Sequence, residues 1–369
     1  MQKIVTSSNG NSRFHILDAS RFFAAISVVL FHFLFLSWSG NHTNSISFNV
    51  IGEFFKYGYL GVQFFFLISG FVIFMSIQRG GVIDFLASRA ARLYPAYWFA
   101  VLLTSFFIFF IEKNTRGLQA FDIFANLTML QKFFGIKNID GVYWTLAIEL
   151  IFYFWMACLL AFKSITKFEL AAFVFLTISF LSKVISFPSI VNLVFLTEYS
   201  PYFISGALFY LVTQSGPTTT RVSLIIASFL LAQHQAIFLQ LPKIQSQHAS
   251  PFSETSVALI VTSFFLFFSV IKLNGLPRPS SKIYAFMGAL TYPLYLIHQE
   301  IGYIIINMLS GKLDKYALVL FTLIICLVIS ALIYLFIEKR YSKAFRKYVT
   351  HACTLFYKKV HLSKSSNTA

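Results

Sequence analysis

The sequence predicts an all-α polytopic membrane protein with about ten transmembrane helices and both termini in the cytoplasm, and three observations lead there. Of 369 residues, 57% are hydrophobic, 19% aromatic and only 11% charged, with a mean hydropathy of +0.74. A soluble domain of this size could not hide so much apolar surface from water. Apolar stretches of about 20 residues, the length that crosses a hydrocarbon core as a helix, recur along the whole chain. The third observation is the net charge of +16. Lys and Arg are about twice as abundant in the segments on the side of the N-terminus as in those on the other side, which sets the orientation. Basic residues dispersed between apolar spans point to the bilayer as partner and argue against nucleic acid.

The elements follow in order. The polar lead, residues 1–15, runs straight into a full-length span without a small-residue cleavage site, so it is expected to stay in the mature chain. Span one, Ile16–Trp38, carries Asp18, Arg21 and His32. The eleven steps from Arg21 to His32 make three turns plus about 20°, so both lie on one face roughly 16 Å apart, and Asp18 shares that face. Each ionisable group in a span costs at least a few kcal/mol, which points to a polar site inside the bundle. The plainer alternatives are an interfacial pair for Asp18 and Arg21 and a hydrogen-bonded structural role for His32. Span two, Tyr57–Ile77, holds Ser69 and Gly70 at its middle, where another helix or a ligand can approach the backbone. The loop after it ends in Arg89 and Arg92, three apart on a helix face. Their guanidinium forks suit phosphate, or serve as ordinary positive-inside anchors. Span three is Leu93–Ile111. The segment Glu112–Gly141 then faces outward with Lys113, Arg116, Lys132 and Lys137, against the charge bias. Its apolar piece Phe121–Leu130 is too short to span, and lies on the surface or dips back into the bundle.

Span four, Val142–Phe162, begins near Trp144 and puts Glu149 about two turns in from the outside. A buried carboxylate needs a partner, and His32 and the tyrosines of neighbouring helices are candidates. Spans five to eight, Phe168–Phe187, Val191–Val212, Val222–Leu241 and Thr255–Lys272, follow from hydropathy. Span nine, Ile283–Leu309, combines Pro293 with Tyr295 and His298; the proline frees a carbonyl and bends the helix, a device found around polar cavities. Span ten is Tyr316–Ile337. Glu338-Lys339-Arg340 then marks the cytoplasmic interface. The tail, 338–369, also carries Lys343, Arg346, Lys347, Lys358 and Lys359, and reads as a segment held near anionic lipids with no chemical role. Neither an internal repeat nor a long linker divides residues 16–337, so one membrane domain is expected. Cys158, Cys326 and Cys353 show no metal-ligand spacing and no paired framework; neither zinc nor disulfides are expected.

Five motifs in order resemble the membrane acyltransferase-3 family: Leu17-Asp18-x-x-Arg21 with His32 downstream, Phe65-Phe66-x-x-Ser69-Gly70, Arg89-x-x-Arg92-x-Tyr94-Pro95, Trp144-Thr145-Leu146-x-x-Glu149, and Tyr292-Pro293-Leu294-Tyr295-Leu296-x-His298. Its members are ten-helix enzymes that O-acylate bacterial surface polysaccharides and other envelope carbohydrates. Thr145 stands where the family often has Ser, and Arg340 where it often has Pro. The resemblance implies transfer of an acyl group, usually acetyl, from cytoplasmic acetyl-CoA without a metal. The acceptor would be a sugar hydroxyl of an envelope polysaccharide such as O-antigen, or of a lipid-linked glycan, at the bacterial inner membrane. It makes His32 the general base or a transient acyl carrier. Asp18 joins the catalytic group only through a relay, since about 20 Å of helical rise separates it from His32. Arg89 and Arg92 would hold the CoA phosphates, and Arg21 the pantetheine amides or a phosphate. Glu149 and His298, nearer the outside, would bind the acceptor or move a proton, with Ser69, Trp144 and Tyr295 as further substrate contacts. Some relatives carry an extra soluble hydrolase-like domain; this chain is expected to need a partner for any such step. The competing class is a transporter whose intramembrane polar residues line a solute or proton path. The lack of a repeat and the paired arginines weigh against it. Oligomeric state is not legible.

Overall fold

A computed structural model describes residues 15–39, 46–78, 80–115, 117–246, 248, 250–271 and 281–366. The lead up to residue 14, Arg116 and Lys272 lie outside them. The described residues are 84% helical and contain no strand. In chain order the helices are α1 His15–Leu36, α2 Val50–Ile77, α3 Val82–Ile111, α4 Ala120–Leu127, α5 Gly141–Ala161, α6 Phe168–Leu181, α7 Ser200–Ser215, α8 Thr219–Gln245, α9 Glu254–Ile271, α10 Ser281–Leu309, α11 Lys315–Leu332 and α12 Lys339–Ser366. Among the described residues six helical runs are long and apolar enough to cross a membrane: α1, α2, α3, α5, α8 and the continuous run Lys315–Leu355. The chain is a multi-pass membrane protein.

Short polar residues and glycines set the turns. The Asp314 side chain accepts from the amides of Tyr316 and Ala317 at the start of α11, supplying bonds that the first helical turn lacks. Gly216 and Gly311 adopt φ of 82° and 77° in the α7–α8 and α10–α11 turns, a backbone region where only glycine is unstrained.

Within a bilayer, close packing rather than exclusion of water holds helices together. α2 and α7 meet at Gly70 and Gly206: a methyl group on Gly70 would strike the Phe203 carbonyl, and one on Gly206 the Leu67 carbonyl. α1 packs on α10 in the same manner, with the Asp18 side chain seated on Gly288 and the Phe33 ring on Gly302. α10 passes through Pro293 as a single helix.

The segment between α3 and α5 dips back into the bundle. Tyr97 Oη donates to Asn126 O at 2.7 Å, Trp98 Nε1 to Leu127 O at 2.9 Å and Tyr94 Oη to Thr128 O at 3.1 Å. Those three side chains stand 13–17 residues before Ile111, about 20–25 Å of rise below the end of α3. Irregular backbone is tolerated at that depth because protein groups satisfy it: Asn126 also binds Lys137 O and the amide of Ile139, and Asp140 receives the amides of Val142 and Glu300. The start of α5 is thereby tied to α10 at Glu300.

At the other end, a π turn, Ile333–Glu338, joins α11 to α12. The tail is thus the direct helical continuation of span ten, and Phe345 fixes it on α3 through an edge-to-face contact with Trp98 at 5.4 Å.

Candidate active site

Six helices and the turn before α12 line one cavity of about 640 Å³, within the 300–1,000 Å³ range usual for small-molecule sites. α1 contributes Arg21, α2 Ser69, α3 Arg89 and Arg92, α5 Thr145 and Glu149, and α10 Tyr292 and Tyr295. Six of the residues singled out in the sequence thus share one space. Glu149 accepts from Ser69 Oγ at 2.7 Å and from Tyr153 Oη at 2.6 Å, and its charge reaches Arg21 and Arg92. Glu149 thus faces the same cavity as the arginines.

Glu338 and the tail require correction. Arg92 Nη1 binds Glu338 Oε2 at 3.2 Å, with the Glu338 side chain 7% exposed, and the Arg92 guanidinium lies over the Tyr292 ring at 5.7 Å. Lys339, Lys343 and Arg346 line the rim of the cavity. Glu338 is thus buried in an ion pair, and basic residues of the tail line the cavity. The usable signal was spacing: Lys339, Lys343 and Arg346 stand at i, i+4 and i+7, one face of a helix.

The two histidines meet beyond the cavity's inner wall. His32 opens a π turn, His32–Leu36, in α1, and is 8% exposed; His298 is fully buried. His298 Nε2 lies 3.1 Å from His32 Nδ1. His298 Nδ1 is 2.8 Å from Tyr295 O and 3.2 Å from Leu294 O, carbonyls that only accept, so in the neutral ring this nitrogen carries the proton and Nε2 the lone pair. His32 Nδ1 faces that lone pair and, at 2.8 Å, Val28 O. It must carry a proton as well, which assigns the basic lone pair of neutral His32 to Nε2. Tyr295 links the cavity to this pair. Tyr295 lines the cavity, its ring centroid is 5.7 Å from that of His298, and its hydroxyl lies 2.9 Å from Thr145 Oγ1.

Besides the histidines, two sequence-derived residues stand apart from the cavity lining. Asp18 sits against Gly288, with His15 Nδ1 4.0 Å from its carboxylate. Trp144 lines a smaller cleft of about 210 Å³ with Lys132, Asn192, Glu198 and Tyr199. There Trp144 packs against Tyr199 at 5.6 Å and Lys132 Nζ stands 5.8 Å over the indole. Burial lowers the Lys132 ammonium from its usual range, with Glu198 acting in the opposite sense.

A family model described as an acyltransferase domain matches residues 14–337. The chain belongs to the acyltransferase-3 family. It is similar to the "Putative acetyltransferase ORF330" of Acidianus two-tailed virus, at 25% identity over 66% of this chain and 73% of that protein. It is also similar to the "Exopolysaccharide production protein ExoZ" of Rhizobium meliloti (strain 1021), at 25% identity over 67% and 77%. No solved structure matches. As an acyltransferase-3 protein the chain is an enzyme transferring groups other than aminoacyl, and the transporter reading gives way.

Proposed function

We propose that this acyltransferase moves an acetyl group from cytoplasmic acetyl-CoA to a sugar hydroxyl of a bacterial cell-surface polysaccharide such as O-antigen, or of its lipid-linked precursor, in the inner membrane. The observation that carries this reading is the cavity that gathers Arg21, Arg89 and Arg92 and is lined by Tyr295, whose ring packs on His298 of the His32–His298 pair. The arginine forks suit the phosphates of the donor, and the names of the two relatives agree with acetyl transfer and with a polysaccharide product.

His32 Nε2 takes the proton of the attacking hydroxyl as the sugar oxygen bonds to the acyl carbon. When the carbon–sulfur bond breaks, His32 returns that proton to the sulfur, so the products are the acetyl ester and free CoA. His298 is a positioning residue that fixes the His32 tautomer. Glu149, held by Ser69 and Tyr153, anchors Arg21 and Arg92 at the inner end of the cavity. Asp18 positions α1 against α10 at Gly288. Trp144 offers an aromatic face to the acceptor sugar, with Lys132, Asn192 and Glu198 as hydrogen-bonding partners.

In this reading residues 16–337 form a ten-span domain, and both termini are cytoplasmic. A reporter joined to the C-terminus is expected to read as cytoplasmic and one inserted at Asn44 as external. The opposite pattern would turn Arg89 and Arg92 away from the CoA pool. The direct test of function is mass spectrometry of the surface glycan from cells with and without the chain. One added acetyl group per modified sugar is expected only when it is present, and identical glycans would overturn the acceptor assignment.

A further inference from the structure

We propose that the C-terminal helix completes the donor site, with Lys343 and Arg346 holding the 3′-phosphate of CoA; this rests on acetyl-CoA being the donor. The cavity's cations fall into two tiers. Arg21, Arg89 and Arg92 are half-buried inside it, whereas Lys339, Lys343 and Arg346 are exposed at its rim. The rim tier is held in place. α12 is tied to α3 by the Phe345–Trp98 contact and, at the turn that leads into it, by the Arg92–Glu338 ion pair, so residues 339–346 are fixed at the mouth instead of trailing into solvent.

Charge and direction then assign the ligand group. Six cations against the carboxylates of Glu149 and Glu338 leave a formal excess of four positive charges around the cavity. CoA carries about four negative charges, roughly half on the pyrophosphate and up to two on the 3′-phosphate monoester. The thioester has to lie by Tyr295 and the histidines, at the inner end. The nucleotide end, which bears the 3′-phosphate, therefore sits at the rim, where the two helical tiers differ in the way the two phosphate groups do. An anionic lipid headgroup offers phosphate to the same side chains, so the test has to separate the two sources.

Acetyl-CoA and 3′-dephospho-acetyl-CoA are titrated by calorimetry into the full chain in neutral phosphatidylcholine nanodiscs, for wild type and for Lys343→Ala/Arg346→Ala, at one salt concentration. The variant is expected to bind acetyl-CoA on the order of tenfold more weakly, an exposed pair of charge-assisted contacts. It is expected to bind the dephospho ligand like wild type, which also shows that it is folded. Equal affinity of both proteins for acetyl-CoA would overturn the proposal and leave the tail to lipid, with the donor reading intact. An equal loss for both ligands would overturn it as well, since the 3′-phosphate would then not be the group held. No binding of either ligand by the wild type would remove the donor reading itself.

Discussion

His32→Ala is expected to lower acyl transfer by two to four orders of magnitude, the usual contribution of a positioned general base, while the protein inserts and melts as wild type does. The side chain touches His298, Val28 O and neighbouring rings, and a small cavity in a packed bundle costs far less function than a lost proton acceptor. The measurement is kcat with acetyl-CoA and the isolated glycan on protein reconstituted in nanodiscs. His298→Ala separates this mechanism from a general weakening of the site. Partners that orient a functional histidine typically account for a 10–100-fold effect, so a smaller loss than that of His32→Ala is expected. It should fall on kcat and leave acetyl-CoA affinity unchanged, since His298 is not among the residues lining the donor cavity. His32→Ala within about tenfold of wild type would sink the assignment of the base.

Much of this was legible in the chain because hydropathy and ionisable residues carry strong signals in a membrane. Most apolar stretches are helical, although Val191–Val212 is interrupted between Val194 and Ser200, and Arg21, Ser69, Arg89, Arg92, Glu149 and Tyr295, each conspicuous for polarity or spacing, converge on one cavity. The return of Asn126–Thr128 to Tyr94, Tyr97 and Trp98 was not legible, because it depends on hydrogen bonds between segments about 30 residues apart. The His32–His298 contact spans 266 residues, and neither helix alone encodes it. The tail misled for a different reason: a basic amphipathic helix satisfies the rules for lipid contact, and only the burial of Glu338 against Arg92 shows that one of its faces is turned inward.

The paired arginines provide the strongest test of the donor. If Arg89 and Arg92 hold CoA phosphates, each charge-assisted contact is worth on the order of 1.5–3 kcal/mol, so Arg89→Ala/Arg92→Ala is expected to weaken acetyl-CoA binding by about a hundredfold or more. Lys at both positions should recover only part, because a point charge replaces a planar fork. Arg92 complicates the experiment, since it also neutralises buried Glu338. Its loss leaves a carboxylate uncompensated, which is destabilising in its own right, and the melting temperature should fall together with the affinity. Adding Glu338→Gln to Arg92→Ala removes that charge, and separates the two effects: thermal stability should return while acetyl-CoA binding stays weak. Recovery of both together would mean that Arg92 acts only by holding Glu338 and the tail in place. Titrations are run at a fixed salt concentration, because ionic screening at the cavity mouth changes the apparent affinity. Binding unaffected by the double arginine change would move the phosphate site elsewhere; no binding of acetyl-CoA by wild type at millimolar ligand would remove it as the donor.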